Sequence, residues 1–537
     1  MFSLLEDSWL PARRANGQVD RIRPMEITAG LGDNPVVAIE WPRPDFRLAT
    51  LEFLIGLLAT ACPPRNAGAW VDFWQEPPSP EDLTAAFAPF AAAFSLDGDG
   101  PRFMQDYENL PGEPDLPETL LIEAPGAATR RNNATLLVKP DRVHRLSRAA
   151  AAMALFTLQT YAPAGGRGNL TSLRGGGPLT TLVLPGAERP GWPVPLWHIL
   201  WANVPQGRVP QSADLPRIFP WLTPTRGADR FPATTSAEAH PLQAFWGMPR
   251  RIRLDFAANP DALACDLTGE VDTQMVIGWR QRPNGVKYVA WNHPLSPSYS
   301  DGKGEWLPMH PQPGGIGYRH WLALTLGDGA SRKPAPCIST WFERASDVPP
   351  PVLEGTRLLA AGYDMDNMKA RAFIESEMPL PGNVVNATAL ARLARGLSMA
   401  AEEVARALRY AIREACYPKD TALDAAPLAT PYEAFWAGTQ DAFFARLGTA
   451  GATLETAAPD WHRRLRKIAL TLFDQAAPLD PAAVSFDPAR IVKARNNLFL
   501  TLSGYGAVGI KIFIALELPL PETAKAKAAR GKAKEPA

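Results

Sequence analysis

The segment Ala162–Val183 (APAGGRGNLTSLRGGGPLTTLV) holds the residues best suited to approach a phosphate or a nucleic acid closely. Gly165, Gly166 and Gly168 have no side chains and tolerate positive φ, so their backbone can lie against a narrow surface. This suits contact with phosphates or insertion into a DNA groove. A plain flexible connection is the alternative that the glycines alone leave open.

A nucleotide-dependent enzyme would need more than these glycines. A P-loop requires a lysine followed by serine or threonine after its last glycine, and the segment has no such pair. A Rossmann turn runs from strand to helix, whereas this segment follows a predicted helix and precedes a predicted strand. A phosphate cradle formed by the glycines of residues 164–177 therefore remains only as an alternative function.

Two carboxylates two residues apart, Asp364 and Asp366, occur in the segment AGYDMDNMKARAFIESEMPL (361–380). This spacing recurs in magnesium and calcium sites, but no EF-hand pattern follows it. We expect instead a loop that enters a helix, with one of the two aspartates as the N-cap.

A β-hairpin is predicted in IGWRQRPNGVKYVAWNHPLSP (277–297), with its turn at Pro283-Asn284-Gly285. It would display Arg280, Arg282 and Lys287 near its tip. These basic side chains suit a nucleic-acid contact, although a solvated hairpin would carry them equally well.

No other pattern indicates catalysis. The seven histidines are scattered singly, and the four cysteines include no CxxC pair. His144 has no second ligand at helical spacing, and His293 is interpreted as structural. We predict no catalytic residue, no metal site and no cofactor.

Apolar periodicity and composition predict the helices and strands that position these residues. The fold class predicted is α+β, with a large mixed α/β N-terminal domain followed by a C-terminal four-helix bundle. The domain boundaries are 1–378 for the first domain, 379–520 for the bundle, and 521–537 for a lysine-rich tail predicted to be disordered. The predicted N-terminal helices are 48–60 and 148–160, and the predicted strands are 36–41, 179–185, 251–256, 275–279 and 287–291. The predicted bundle helices are 386–417, 432–447, 460–475 and 488–500.

Net charge and hydropathy limit the classes of partner that the chain can have. Basic and acidic residues number 55 each, so a nucleic-acid surface has to be local or lie within a larger assembly. The N-terminus lacks the pattern of a signal peptide, and apolar runs such as Phe53–Ala61 are far shorter than a bilayer span. We therefore predict a cytoplasmic location and no membrane contact.

Taken together, five segments resemble the CasA family, the large subunit of the type I-E CRISPR surveillance complex Cascade. They occur in order over nearly the whole chain: LLEDSWLPARRANG (4–17), RFMQD (102–106), the stretch 154–182 around the glycines, GWRQ…HPLSP (278–297) and GYDMDNMKAR (362–371).

The resemblance implies a subunit without catalytic activity that inspects duplex DNA for a short PAM from the minor groove. It implies a glycine-rich loop, a basic finger and a wedge that starts strand separation, after which guide pairing reads the sequence. The implied partners are crRNA, target double-stranded DNA, the backbone, small and 5′-handle-binding Cascade subunits, and a recruited helicase-nuclease.

By residue, the resemblance assigns the glycine loop to Ala164, Gly165, Gly166, Arg167 and Gly168. Arg167 departs from the more glycine-rich loops of better-known members. The wedge falls on Asn367, where a well-known member has glutamine. The finger is assigned to Arg282, with Arg280 and Lys287 as alternatives.

Two further expectations follow from the resemblance. The loop 137–147 corresponds to a segment near the crRNA 5′ handle, and its Lys139, Arg142 and Arg145 suit an RNA phosphate contact; a solvated surface loop is the alternative. Some members hold a cysteine cluster before the hairpin, but here only Cys265 remains, so no zinc is expected. A stand-alone nucleic-acid-binding protein is a third hypothesis, which the zero net charge disfavours.

Overall fold

The computed structural model describes most of the chain. The described residues are 1–132, 135, 138–163, 165, 168–329, 331–366, 369–380, 387–417, 428–449, 451–477 and 486–522. The chain divides into two compact units, an N-terminal unit of Met1–Gly315 with Gly327–Asn383, and a helical unit of Ile316–Leu326 with Val384–Ala537.

The strands are short and form four three-stranded antiparallel sheets among the described residues, in the orders β2-β1-β3, β10-β8-β9, β12-β11-β5 and β4-β7-β6. Their bounds are β1 Leu10–Arg14, β2 Val19–Ile22, β3 Val36–Ile39, β4 Leu146–Ser147, β5 Thr180–Leu184, β6 Arg251–Ala258, β7 Gln274–Arg282, β8 Ser298–Ser300, β9 Trp306–Pro308, β10 Arg332–Lys333, β11 Arg357–Asp366 and β12 Lys369–Pro379.

The α-helices are listed here by their bounds: α1 Pro44–Ala61, α2 Ala67–Gln75, α3 Pro80–Phe87, α4 Ala127–Arg131, α5 Arg148–Tyr161, α6 Leu196–Trp201, α7 Leu215–Ile218, α8 Tyr318–Thr325, α9 Pro336–Glu343, α10 Pro350–Glu354, α11 Ala387–Cys416, α12 Ala429–Leu447, α13 Leu454–Ala476, α14 Pro488–Leu502 and α15 Gly506–Ala515.

Helices α1 and α5 form the core of the N-terminal unit. Both are apolar around nearly their whole circumference, which is the pattern of a fully buried helix. Phe53 of α1 makes edge-to-face contacts with five aromatic rings, among them Trp9, Phe156 and Trp246. The predicted helices 48–60 and 148–160 are therefore confirmed. Because α5 ends at Tyr161, this core fixes where the glycine segment begins.

The strand pairing differs from the prediction in two places. Residues 251–256 and 275–279 are strands as expected, but β7 pairs with β6, and 287–291 contains only an isolated bridge between Tyr288 and Thr234. The predicted hairpin across Pro283–Gly285 is therefore wrong. The predicted loop-to-helix segment 361–380 is also wrong, because β11 and β12 form an antiparallel hairpin there.

The helical unit is organised around the long helix α11. Leu393, Leu397, Val404 and Leu408 of this helix are buried, as the apolar spacing predicted. All four predicted helices are present, and a fifth, α15, packs on α11 where Gly396 leaves room: a Cβ there would lie 2.8 Å from the carbonyl oxygen of Ala515.

Helix α8 also belongs to the helical unit, although it lies far before it in the sequence. The Tyr318 hydroxyl is 2.9 Å from that of Thr439, and its ring stacks on Phe443 at 4.4 Å. The predicted boundary at residue 379 therefore falls close to the start of the helical unit but leaves out this inserted helix.

One stretch of the helical unit, Pro488–Ala515, is long and apolar enough to cross a membrane by length and composition alone. Sequence inspection did not identify it. The stretch is not one continuous helix, because positive φ values occur at Gly504, between α14 and α15, and at Gly506, the first residue of α15. Its buried residues, including Ala494, Leu498 and Ile512, belong to the packed interior of the helical unit.

Candidate nucleic-acid interface

The glycine segment, residues 162–177, connects α5 to β5 as the sequence predicted. Its backbone folds on itself: the Gly165 amide donates to the Asn169 carbonyl at 3.1 Å, and the Gly177 amide donates to the Tyr161 carbonyl at 3.0 Å. These two N–H groups are therefore not available to a phosphate, which disfavours a nucleotide cradle. Ala164, Gly166 and Arg167 lie outside the described residues.

Gly168 joins this segment to the tip that follows β7. It has φ of +79°, and its carbonyl accepts a hydrogen bond from the Asn284 amide at 3.0 Å. A Cβ at Gly168 would lie 2.9 Å from the Asn284 side-chain oxygen and 3.1 Å from the Pro283 Cβ. Any side chain here would push the tip away, so glycine is required both by conformation and by space.

Gly177, at the other end of the segment, lies against the strand that leads to Asn367. Its φ is +63°, and a Cβ would lie 2.7 Å from the Met365 Cγ and 2.7 Å from the Tyr363 carbonyl oxygen. Asn367 lies outside the described residues, between the ends of β11 and β12. One segment thus contacts both the basic tip and the hairpin that carries the predicted wedge.

The three basic candidates differ in their surroundings. The Arg280 guanidinium pairs with Asp255 at 2.6 Å and donates to the Gly112 carbonyl at 2.9 Å. The Arg282 and Lys287 side chains are exposed and have no hydrogen-bond or ionic partner among the described residues. The tip itself is well anchored, because a Cβ at Gly285 would lie 1.9 Å from the Pro249 carbonyl oxygen.

A buried ion pair that the sequence analysis missed lies at the base of the glycine segment. Arg174 pairs with Glu52 of α1 at 2.6 Å, and both side chains are almost fully buried. Arg174 also donates to the Thr180 hydroxyl at 2.9 Å and the Ser296 hydroxyl at 3.0 Å, while the Tyr161 hydroxyl donates to Glu52 at 2.5 Å. A single glutamate inside the apolar helix 44–61 was the available signal, since a buried carboxylate requires a partner.

Titratable groups around this pair are held neutral by burial. Burial and the Glu52 charge raise the pKa of Tyr161 well above its usual value. Burial and the Arg174 charge lower the pKa values of His293 and His310. His293 accepts a hydrogen bond from the Leu295 amide through Nδ1 at 3.1 Å, which is a structural contact.

The aspartates 364 and 366 are not arranged as metal ligands. Arg371 of β12 pairs with Asp364 at 2.7 Å and lies 3.8 Å from Asp366. Among the described residues, no group of three or more His, Cys, Asp or Glu side chains is placed to hold a metal ion. Cys265 is buried, and its amide donates to the Glu270 carbonyl.

The candidate RNA-contacting residues lie on an anchored stretch of backbone. Asp266 accepts from the Arg145 amide at 3.0 Å, and Glu118 accepts from the Arg142 amide at 2.9 Å. The Lys139 and Arg142 side chains are exposed, whereas Arg145 is half-buried. Residue 137, the first of the predicted loop, lies outside the described residues.

A cleft of about 720 Å³ in the N-terminal unit lies away from the predicted site residues. Trp74, Arg189, Trp192 and His198 are among its lining residues. None of the predicted site residues lines it. The candidate interface is therefore a surface built from loop and strand ends, not an enclosed pocket.

Comparisons with known proteins agree on one family. The family model described as CRISPR-associated protein Cse1 matches residues 3–472. A solved structure of Thermus thermophilus CasA (Cse1) is similar with a TM-score of 0.67 at 19% identity, covering 94% of this chain and 100% of that chain. Thermobifida fusca Cse1 is similar with a TM-score of 0.66 at 15% identity, covering 96% and 98%. A chain of a CRISPR RNA-guided surveillance complex gives 0.66 at 19% identity, covering 93% and 99%.

Proposed function

The chain belongs to the CRISPR-associated Cse1 family, also called CasA, and on that premise we propose that it is the large subunit of a type I-E Cascade complex. In this proposal it recognises the PAM in duplex DNA through the minor groove and starts strand separation for crRNA-guided R-loop formation. The observation that carries the proposal is the glycine segment, which contacts the basic tip through Gly168 and the wedge-bearing hairpin through Gly177.

The geometry suits a narrow groove. The minor groove is about 6 Å wide and admits backbone and extended side chains more readily than a helix. A glycine backbone flanked by the exposed Arg282 and Lys287 offers both close approach and positive charge. An amide side chain at Asn367 would then act as the wedge, offsetting the cost of unstacking by new contacts.

The remaining roles in the proposal follow from the assembly. Lys139, Arg142 and Arg145 contact crRNA or neighbouring Cascade subunits, and a separate helicase-nuclease that docks on this subunit performs the cleavage. We propose no catalytic residue in this chain and a cytoplasmic location. Because basic and acidic residues number 55 each, the isolated chain is expected to bind DNA weakly and with steep salt dependence.

The test of PAM recognition compares two neighbouring arginines. In the reconstituted complex, Arg282→Ala should weaken binding to PAM-bearing duplex by about tenfold or more, the effect of losing one groove contact. Arg280→Ala is the matched control, because Arg280 is already paired with Asp255. Equal losses in affinity, or a loss for Arg280→Ala alone, would contradict the assignment of Arg282 as the finger. A wild-type complex that binds PAM-bearing and PAM-lacking duplexes equally would contradict the proposed function.

The wedge assignment has a separate test. Asn367→Ala should slow R-loop initiation on a linear duplex, because each unstacked step costs a few kcal/mol. On a target already unpaired beside the PAM, the same variant should initiate at nearly the wild-type rate. Stopped-flow measurement of R-loop formation on the two targets distinguishes a wedge from a static contact, which would be impaired equally on both.

A further inference from the structure

Arg250 lies between the glycine segment and the basic tip, the two elements that the proposed function brings to DNA. Its backbone amide donates to the Gln159 Oε1 at 3.0 Å, and the Gln159 Nε2 donates to the Arg250 carbonyl at 2.9 Å. On the other side, a Cβ at Gly285 would lie 3.1 Å from the Arg250 Cα. The backbone of Arg250 is therefore held firmly at the junction.

The guanidinium of Arg250 lies inside the glycine segment. Nη2 donates to the Pro163 carbonyl, and Nε lies 3.4 Å from the Leu170 carbonyl oxygen, so the side chain spans the turn at Gly165. A Cβ at Gly165 would lie 2.7 Å from the Asn169 Cβ and 3.2 Å from Nη2, so there is little room for a side chain at that position. The third nitrogen, Nη1, has no partner among the described residues.

Arg250 lacks the counter-ion that several other enclosed arginines of this unit have. The paired ones are Arg43 with Glu123, Arg148 with Asp272, Arg174 with Glu52 and Arg251 with Asp106. No carboxylate among the described residues pairs with Arg250, and burial lowers its pKa to about 10. The side chain is still a cation at neutral pH, and an anion beside it would offset the cost of its desolvation.

We propose that Arg250 contacts a backbone phosphate of the DNA that lies against the glycine segment, and that this phosphate is its missing counter-ion. The inference rests on the proposed function. A guanidinium with one free edge matches phosphate oxygens, because its planar fork donates two parallel hydrogen bonds. The contact adds affinity without sequence preference and fixes how deeply the glycine segment approaches the groove.

Three variants of the reconstituted complex test the contact through the salt dependence of DNA binding. Arg250→Gln keeps donors for the two carbonyls but removes the charge. It should weaken binding about tenfold on PAM-bearing and PAM-lacking duplexes alike, and lower the slope of log affinity against log salt by about 0.9, the value for one phosphate contact. Arg250→Lys keeps the charge and should keep the wild-type slope. Arg344→Gln is the matched control, since this buried arginine also lacks a salt bridge among the described residues but contacts Trp70 and Val204.

The outcomes separate the two hypotheses. If the Arg250→Gln complex binds DNA more weakly but with an unchanged salt slope, Arg250 only supports the conformation of the glycine segment. That result would overturn the phosphate contact. A wild-type complex without PAM preference would instead overturn the proposed function. If Arg250→Gln fails to fold, the wild-type complex can be titrated with duplexes that carry single neutral methylphosphonates near the PAM. One of these positions should then lower the slope by about 0.9. If no position lowers the slope, the contact is overturned.

Discussion

At the scale of single residues, the candidate interface depends on which charges are already paired. Arg280 and Arg371 are bound to Asp255 and Asp364, whereas the side chains of Arg282 and Lys287 are exposed without partners among the described residues. The pairing with Arg371 also disfavours Asp364 as a metal ligand. Both pairs are partly buried, and each engages a guanidinium that would otherwise be open to a ligand.

A second residue-scale feature is the buried histidine His293. Burial and the Arg174 charge hold its pKa well below the ordinary value of 6.5. The unfolded chain therefore binds a proton at higher pH than the folded chain does. The contribution of His293 to stability is complete above pH 6.5 and is lost progressively as the pH falls below that value.

His293→Asn should consequently flatten the decrease in the free energy of unfolding on acidification. Asparagine retains an acceptor for the Leu295 amide but does not titrate. Chemical denaturation between about pH 8 and pH 5 measures the effect, with His144→Asn as the control at an exposed histidine. An acid dependence of His293→Asn as steep as that of the wild-type chain would contradict the prediction.

At the scale of elements, the Glu52–Arg174 pair joins α1, the glycine segment and β5. Thr180 of β5 donates to Glu52 and accepts from Arg174, and β5 pairs directly with β11. The glycine segment is thereby attached to the same sheet that contains the β11–β12 hairpin. A buried ion pair of this kind contributes more to a defined geometry than to net stability.

The pair predicts a non-additive double-mutant cycle. Glu52→Leu and Arg174→Met should each lower the free energy of unfolding by roughly 3–5 kcal/mol, because each leaves a buried charge without its partner. The double variant Glu52→Leu/Arg174→Met should recover most of that loss, since it removes both charges and keeps the volume. Urea denaturation of the single and double variants measures the coupling, and additive losses would show that the two side chains act independently.

At the scale of the whole molecule, the chain forms two compact units, and neither unit is one continuous stretch of sequence. The helical unit takes α8 from within the sequence of the N-terminal unit. Tyr318 and Trp321 of this helix are buried, and both contact Phe443 of α12. The stability of the helical unit should therefore depend on residues far from its main sequence.

Tyr318→Ala in the full chain should destabilise the helical unit by about 3–5 kcal/mol, the usual cost of truncating a buried aromatic side chain. Amide hydrogen exchange should become faster in α12 and stay unchanged in α1 and α5. Trp9→Ala is the reciprocal variant, because Trp9 contacts Phe53 of α1, and it should speed exchange in the N-terminal unit instead. Faster exchange in α1 upon Tyr318→Ala would contradict the assignment of α8 to the helical unit.

The sequence by itself determined the features that depend on local pattern. Apolar composition identified α1 and α5, apolar spacing identified α11, and the helix-to-strand order of the glycine segment followed from its neighbours. Periodicity is sufficient for these elements because each one satisfies its backbone hydrogen bonds internally or with an adjacent strand. The resemblance carried by five ordered segments identified the family.

Only the tertiary structure decided which side chains meet. Arg280 finds Asp255 at a separation of 25 residues, and Arg174 finds Glu52 at a separation of 122. Local propensity placed an N-cap at Asp364 or Asp366 and a strand at 287–291, whereas the structure has a β11–β12 hairpin and a β6–β7 pair. Strand partners and counter-ions are chosen by packing between distant segments, and a linear pattern carries no record of that choice.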